Sequence, residues 1–234
     1  MQTENSVSSA PLGLVTKTLG APLEPGSLGA IMGRAGVGKT AFLTHVALEH
    51  MVLHGQRVLH VCIDELAEKI KVWYREFLKN IAAHQPGQDI GKLQEHIEPL
   101  RFILAYLHQT FSPAKLEQSL LNLREQAKFF PSVVVLDGLD FDRLDRSQVE
   151  EIQRFARRHA VSVWISARTH RHISITNERG IPYPCHEMDD LFRAILFLEP
   201  KPDAIEVKVM KSDDRYDLDD PGVAVNPQTY LILS

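Results

Sequence analysis

Cysteine is scarce: Cys62 and Cys185 are the only two in 234 residues, and they stand far apart. That excludes a small disulfide-stapled scaffold, and the separation fits neither a zinc nor a redox spacing. Cys62 falls in an apolar run and reads as a small core residue. No apolar stretch is long enough to span a bilayer. The first residues lack the basic segment and apolar run of a secretion signal. The expectation is therefore a cytoplasmic protein without membrane contact. An excess of positive charge is also missing. The formal net charge is -4, so the total gives no footprint for nucleic acid or anionic lipid, although a local basic surface stays open. What remains is ordinary globular composition, 44% hydrophobic and 24% charged, in a length that suits one large α/β domain.

Against that plain background one stretch stands out. Gly33-Arg34-Ala35-Gly36-Val37-Gly38-Lys39-Thr40 fits G-x-x-x-x-G-K-[ST], the phosphate-binding loop. The small apolar run Ser27 to Met32 before it reads as a buried strand. The residues from Lys39 onward read as a helix, with Phe42, Leu43, Val46, Ala47 and Leu53 mostly on one face. Phosphate oxygens need several N–H donors converging from one side. Glycines at 33, 36 and 38 let the backbone wrap closely, and the positive end of the following helix adds fixed partial charge. Lys39 is expected on the β- and γ-phosphates, and the Thr40 hydroxyl on Mg²⁺.

The rest of the chain alternates strand and helix as far as residue 166. Residues 1–12 read as a loose polar tail, and 13–26 as a turn leading into the first strand. A second strand spans Arg57 to Asp64. The next helix carries Leu66, Ile70, Trp73, Phe77 and Ile81 in a stripe and is broken by Pro86-Gly87. A short helix over 89–97 leads to a strand over Leu100 to Leu107, and Ser112-Pro113 opens another helix. Ser132-Val133-Val134-Val135-Leu136-Asp137 reads as a central parallel strand, apolar on both faces. Ser147-Gln148-Val149-Glu150 has the form of a capping box. A strand over Val161 to Ser166 precedes a polar loop, 167–188. Three apolar runs near 191–198, 204–210 and 229–233 are too closely spaced for intervening helices and predict antiparallel strands at one sheet edge. The fold class expected is α/β, a doubly wound, mainly parallel sheet in three layers, forming one domain over 13–234.

A phosphate loop needs an acid for the metal. Asp137, at the end of four apolar residues, is the candidate, because its carboxylate emerges at the edge where such sheets bind ligands. Asp140 and Asp142 are expected to be carried outward by the loop that follows. Hydrolysis also needs a group to orient or deprotonate water. Gly138 follows Asp137, so no glutamate stands there. The end of the second strand offers Asp64-Glu65, with Glu65 as first choice and Asp64 as assistant.

Pro25 to Thr40, taken with Asp137, resembles the opening of RecA/KaiC-like ATPases, whose core is shared by DnaB-type helicases. The resemblance spans about residues 22–215. It implies Mg²⁺-dependent ATP hydrolysis, a water-activating acid where Asp64-Glu65 stands, and a polar sensor near Ser166 to Arg168. It also implies that Lys211 and Arg215 reach a neighbouring subunit's γ-phosphate. The family pattern there is Lys-x-Arg, whereas this chain has Lys211-Ser212-Asp213-Asp214-Arg215. Expected partners are ATP and ADP, with a second copy of the chain or another protein.

Other readings are carried alongside. Arg34 occupies the signature-lysine position of ParA/MinD-type loops, but Ala35 replaces the second glycine and no D-x-P-x-G run follows Asp137. Loop 167–188 holds Arg168, His170, Arg171, His172, Arg179 and Tyr183, which fits a DNA-contacting loop of a recombination or helicase-loading component. The acidic residues 187–190 and 213–220 argue against it. His170, His172, Cys185 and His186 are too loosely spaced for a zinc site. A nucleotide-gated binding module with little turnover is the remaining alternative.

Overall fold

The computed structural model describes residues 12–84, 89–216 and 222–233. The Pro86-Gly87 break, and all but Leu12 of the expected tail, lie outside them. Leu12 itself is fully buried. Residues 13–26 are not simply a turn, because Leu14–Leu19 forms a helix (α1). The buried Glu49 carboxylate explains it by accepting hydrogen bonds from Val15 N, Thr16 N and Thr16 Oγ1 at 2.7–2.9 Å, satisfying first-turn donors.

Strands β1 (Leu28–Arg34), β2 (Val58–Ile63), β3 (Arg101–Tyr106), β4 (Val133–Asp137) and β5 (Ser162–Thr169) fall where apolar runs predict them. Helices α2 (Lys39–His54), α3 (Ala67–His84), α4 (Ile90–Ile97), α5 (Pro113–Gln126) and α6 (Arg146–His159) connect them. The last strands are β6 (Ala194–Pro200), β7 (Ile205–Ser212), β8 (Arg215–Tyr216) and β9 (Val223–Val225). All nine form one sheet in the order β3-β2-β4-β5-β1-β6-β7-β8, with β9 also on β7. The strands from β3 to β6 are parallel, and β7 to β9 are antiparallel additions. One expectation is corrected here: β6 lies parallel to β1, because the 170–193 segment returns the chain to the starting end. The run 229–233 supplies only an isolated bridge, Val225 to Ile232.

Side chains divide by parity. Val133 and Val135 of β4 pack in the core under α1 to α4, while Val134 and Leu136 pack in the core under α5 and α6. Both faces are therefore covered, which is why β4 is apolar throughout. The α3 stripe is Ile70, Tyr74, Phe77, Leu78 and Ile81, with Leu66 left 73% exposed before the helix starts. The capping box of α6 belongs to Asp145 and Gln148 rather than Ser147 and Glu150, as Asp145 is the better-placed acceptor.

His60 of β2 is fully buried between sheet and α3, its Nδ1 2.9 Å from the Tyr74 hydroxyl. Burial pushes its pKa down to about 4, with Asp137 opposing and Arg101 assisting. Burial likewise lowers His45 and His50. A base with a depressed folded pKa binds fewer protons than the unfolded chain. Its stability contribution is full above about 6.5 and is lost as pH falls toward about 4. Urea midpoints are expected to drop between pH 7 and 5.5, with the His60 ring resonance not titrating in that window. A His60 resonance moving with a midpoint near 6.5 would contradict this.

Candidate functional site

Four neighbouring strands, β2, β4, β5 and β1, end side by side at the carboxyl edge. Above them lies a cavity of about 780 Å³, within the roughly 300–1,000 Å³ of small-molecule sites. Parity explains which side chains reach it. Val135 leads to Asp137, Trp164 leads to Ser166 and Arg168, and Ile31 leads to Gly33, each pair two residues apart on the α2 face.

The loop between β1 and α2 forms the floor. Gly36 and Gly38 adopt φ of 78° and 96°, a region that side chains avoid. Gly36, Gly38, Lys39 and Thr40 line the cavity. Gly33 lies below it, where Val37 fills the space a Cβ would take at 2.8 Å, and Arg34 and Ala35 face solvent. Lys39 Nζ donates to the carbonyls of Gly33 at 2.9 Å and Arg34 at 2.8 Å, so the loop holds its own cation. Burial lowers the Lys39 ammonium to about 8, with Asp137 opposing and Arg168 reinforcing the shift.

Asp137 is 7% exposed, yet its carboxylate makes no hydrogen bond or ion pair with any described residue. Its oxygens open into the cavity, so they are free to meet whatever the cavity receives. Gly138 follows it with φ 94°, its N–H donating to Ser166 Oγ at 2.9 Å. A Cβ at Gly138 would overlap the Ile63 carbonyl oxygen, which is why no glutamate can stand there.

The pair ending β2 divides. Asp64 lines the cavity, and its Oδ1 accepts from His108 N at 2.6 Å. Glu65 is absent from the lining, pairs with Lys69, and has its carboxyl lowered by that bond. Continuing the β2 alternation one residue past Ile63 places position 64, not 65, on the cavity face. Asp140 and Asp142 are not carried outward, since both line the cavity. Asp140 faces His108 at 3.6 Å and Arg143 at 3.3 Å. Asp142 accepts from Tyr183 Oη at 2.6 Å and meets His170 Nε2 at 2.9 Å, which holds its carboxyl low. Tyr183 and His170 therefore clasp the 170–188 segment to the cavity rim. Arg179 is taken up by Asp189 and Tyr216, and Ile181 and Cys185 are fully buried. Among the described residues no cluster of three or more His, Cys, Asp or Glu has metal-holding geometry. None of the described helices is long and apolar enough to cross a membrane.

Lys211 and Arg215 stand apart from the cavity. Lys211 is 3% exposed, donates to Asp189 O at 2.7 Å and lies over the Tyr216 ring. Arg215 is exposed on β8, with β6 and β7 between it and β1.

Residues that sequence reasoning missed are His108, Trp73 and Tyr230. His108 is fixed only by the β2–β3 register. Tyr230 comes from the far end of the chain, where its ring sits against Gly38 and edge-on to Trp73, and its carbonyl meets His45 Nδ1 at 2.9 Å. Nothing local marks either.

Compared with protein-family models and with curated proteins, the chain matches none. The site is therefore interpreted from its own geometry.

Proposed function

We propose that the chain binds a nucleoside triphosphate with Mg²⁺ and hydrolyses it, as an ATPase resembling the RecA/KaiC-like group. The observation that carries this is the Asp137 carboxylate, without a partner among the described residues, opening into one cavity with Lys39 and Thr40. The residues fit the implied groups. The backbone of 33–40 and Lys39 would take the phosphates, and the hard oxygens of Thr40 and Asp137 would hold Mg²⁺. The metal supplies neutralisation of phosphate charge when bound. Of the two acids that follow β2, Asp64 is the one facing the cavity and is favoured to orient water, in place of Glu65. A nucleotide-gated binding module is the second reading, favoured by the engagement of Glu65 with Lys69 and by the clasp of Asp142 on the 170–188 segment.

Single-turnover hydrolysis with excess protein and Mg²⁺ separates the two. Asp64→Asn is expected to lower the rate by about a hundredfold with binding kept, and Glu65→Gln by less than about threefold. Binding without turnover by the unaltered chain selects the second reading. No binding at all removes both.

A further inference from the structure

The loop between β1 and α2 has a neighbour from far along the chain. Tyr230 lines the cavity, and its ring occupies the space that a Cβ on Gly38 would take. Glycine is therefore required at 38 twice over, by φ 96° and by this ring. The Tyr230 Oη stands 2.6 Å from that Cβ position. Adding one C–C bond of about 1.5 Å puts the hydroxyl within roughly 4 Å of the Gly38 Cα.

The turn that carries Tyr230 is fastened on several sides. Asn226 organises it, since its Oδ1 accepts from Gln228 N at 2.8 Å and Thr229 N at 3.1 Å, and its carbonyl accepts from Tyr230 N at 2.7 Å. Helix α3 holds it through Asn80 Nδ2, which donates to Thr229 O at 3.3 Å. Helix α2 holds it through His45 Nδ1, 2.9 Å from Tyr230 O. A carbonyl only accepts, so His45 carries its proton on Nδ1. Trp73 and Phe77 flank the ring. The ring is thus fixed before a ligand arrives, and only the hydroxyl is uncommitted, sharing no hydrogen bond with any described residue. Burial raises its pKa, so it remains a neutral O–H donor around neutral pH.

We infer that the Tyr230 hydroxyl is a further phosphate-binding group, donating to an oxygen of the phosphate cradled at Gly38. This rests on the triphosphate reading above. A neutral O–H adds to the converging backbone N–H donors without adding charge beside Lys39, and a donor already held in place binds without an ordering cost. Tyr230 reaches the loop from the side of α2 and α3, whereas Asp64 and Asp137 enter the cavity from the ends of β2 and β4. The phosphate it meets is therefore one that a diphosphate also carries.

The test is Tyr230→Phe in the full chain, which removes one oxygen and keeps the ring against Gly38 and Trp73. The thermal midpoint is expected to stay within about 2 °C, because the hydroxyl has no partner to lose among the described residues. With Mg²⁺ present, affinity for a non-hydrolysable ATP analogue, for ADP and for inorganic tripolyphosphate is expected to fall by about tenfold in each case. Tripolyphosphate has no nucleoside, so its loss assigns the contact to phosphate. The inference is overturned if the variant binds all three as the parent does. It is equally overturned if affinity falls for the two nucleotides and not for tripolyphosphate, which would assign the hydroxyl to the ribose or base. An unaltered chain that binds none of the three removes the underlying reading instead.

Discussion

Lys39→Ala is expected to weaken triphosphate binding by roughly a hundredfold while leaving the fold intact. Each charge-assisted hydrogen bond contributes about 1.5–3 kcal/mol, and Lys39 is placed to make two with phosphate oxygens. The loop should survive the change, because its shape comes from glycine φ angles and from Val37 packed beneath it, not from the ammonium alone. A second signature accompanies the first. The Lys39 ammonium is lowered to about 8 by burial, so the free loop loses its charge as pH rises through that value. Affinity of the unaltered chain should therefore decline from pH 7 to 9. Binding within that interval should take up protons, since phosphate restores the charged form. Isothermal calorimetry in buffers of different ionisation enthalpy reads both effects. In Lys39→Ala the pH dependence should flatten. A variant that binds as tightly as the parent would show that the glycine loop is not a phosphate site.

The second large effect concerns a residue that touches nothing in the cavity by side chain. Gly138→Ala is expected to destabilise the protein by about 3 kcal/mol and to abolish metal-dependent binding. The left-handed φ of 94° costs a side chain roughly 1–2 kcal/mol, and the new Cβ would overlap a backbone oxygen, Ile63 O, that cannot rotate away. Relief requires β4 to shift against β2, which moves Asp137. For a chain of this size the melting temperature should fall by roughly 6–12 °C. Gly36→Ala provides the contrast. Its φ of 78° carries the same strain, but nothing lies within 4 Å of an added Cβ, so a loss of about 1 kcal/mol is expected. If the two alanine variants melt together, the packing of Gly138 on β2 is not what positions Asp137.

These sites differ in how far the sequence reveals them. The phosphate loop is local, because spacing of glycine, lysine and threonine specifies a turn and the run before it specifies a strand. Val133 to Asp137 was equally plain, since only a strand covered on both faces accepts so apolar a run. Asp64 over Glu65 was legible in principle from alternation along β2, although the bend at Asp64, φ 56°, obscures it. The parallel setting of β6 was not legible. It depends on the path of 170–193 across the sheet edge, which local propensity does not encode. His108 and Tyr230 were out of reach for the same reason, since each acquires meaning from strand order or from chain distant in sequence. The setting of Lys211 was not legible either, because the Asp189 carbonyl and the Tyr216 ring that enclose it come from other parts of the chain.

The placement of Trp73 gives the molecule a built-in optical reporter. Of the two indoles in the chain, Trp164 is sealed in the core, while Trp73 lines the cavity with Tyr230 edge-on beside it. A change in emission on filling the cavity therefore belongs to one fluorophore, so occupancy can be followed in the unlabelled protein at the speed of stopped-flow mixing.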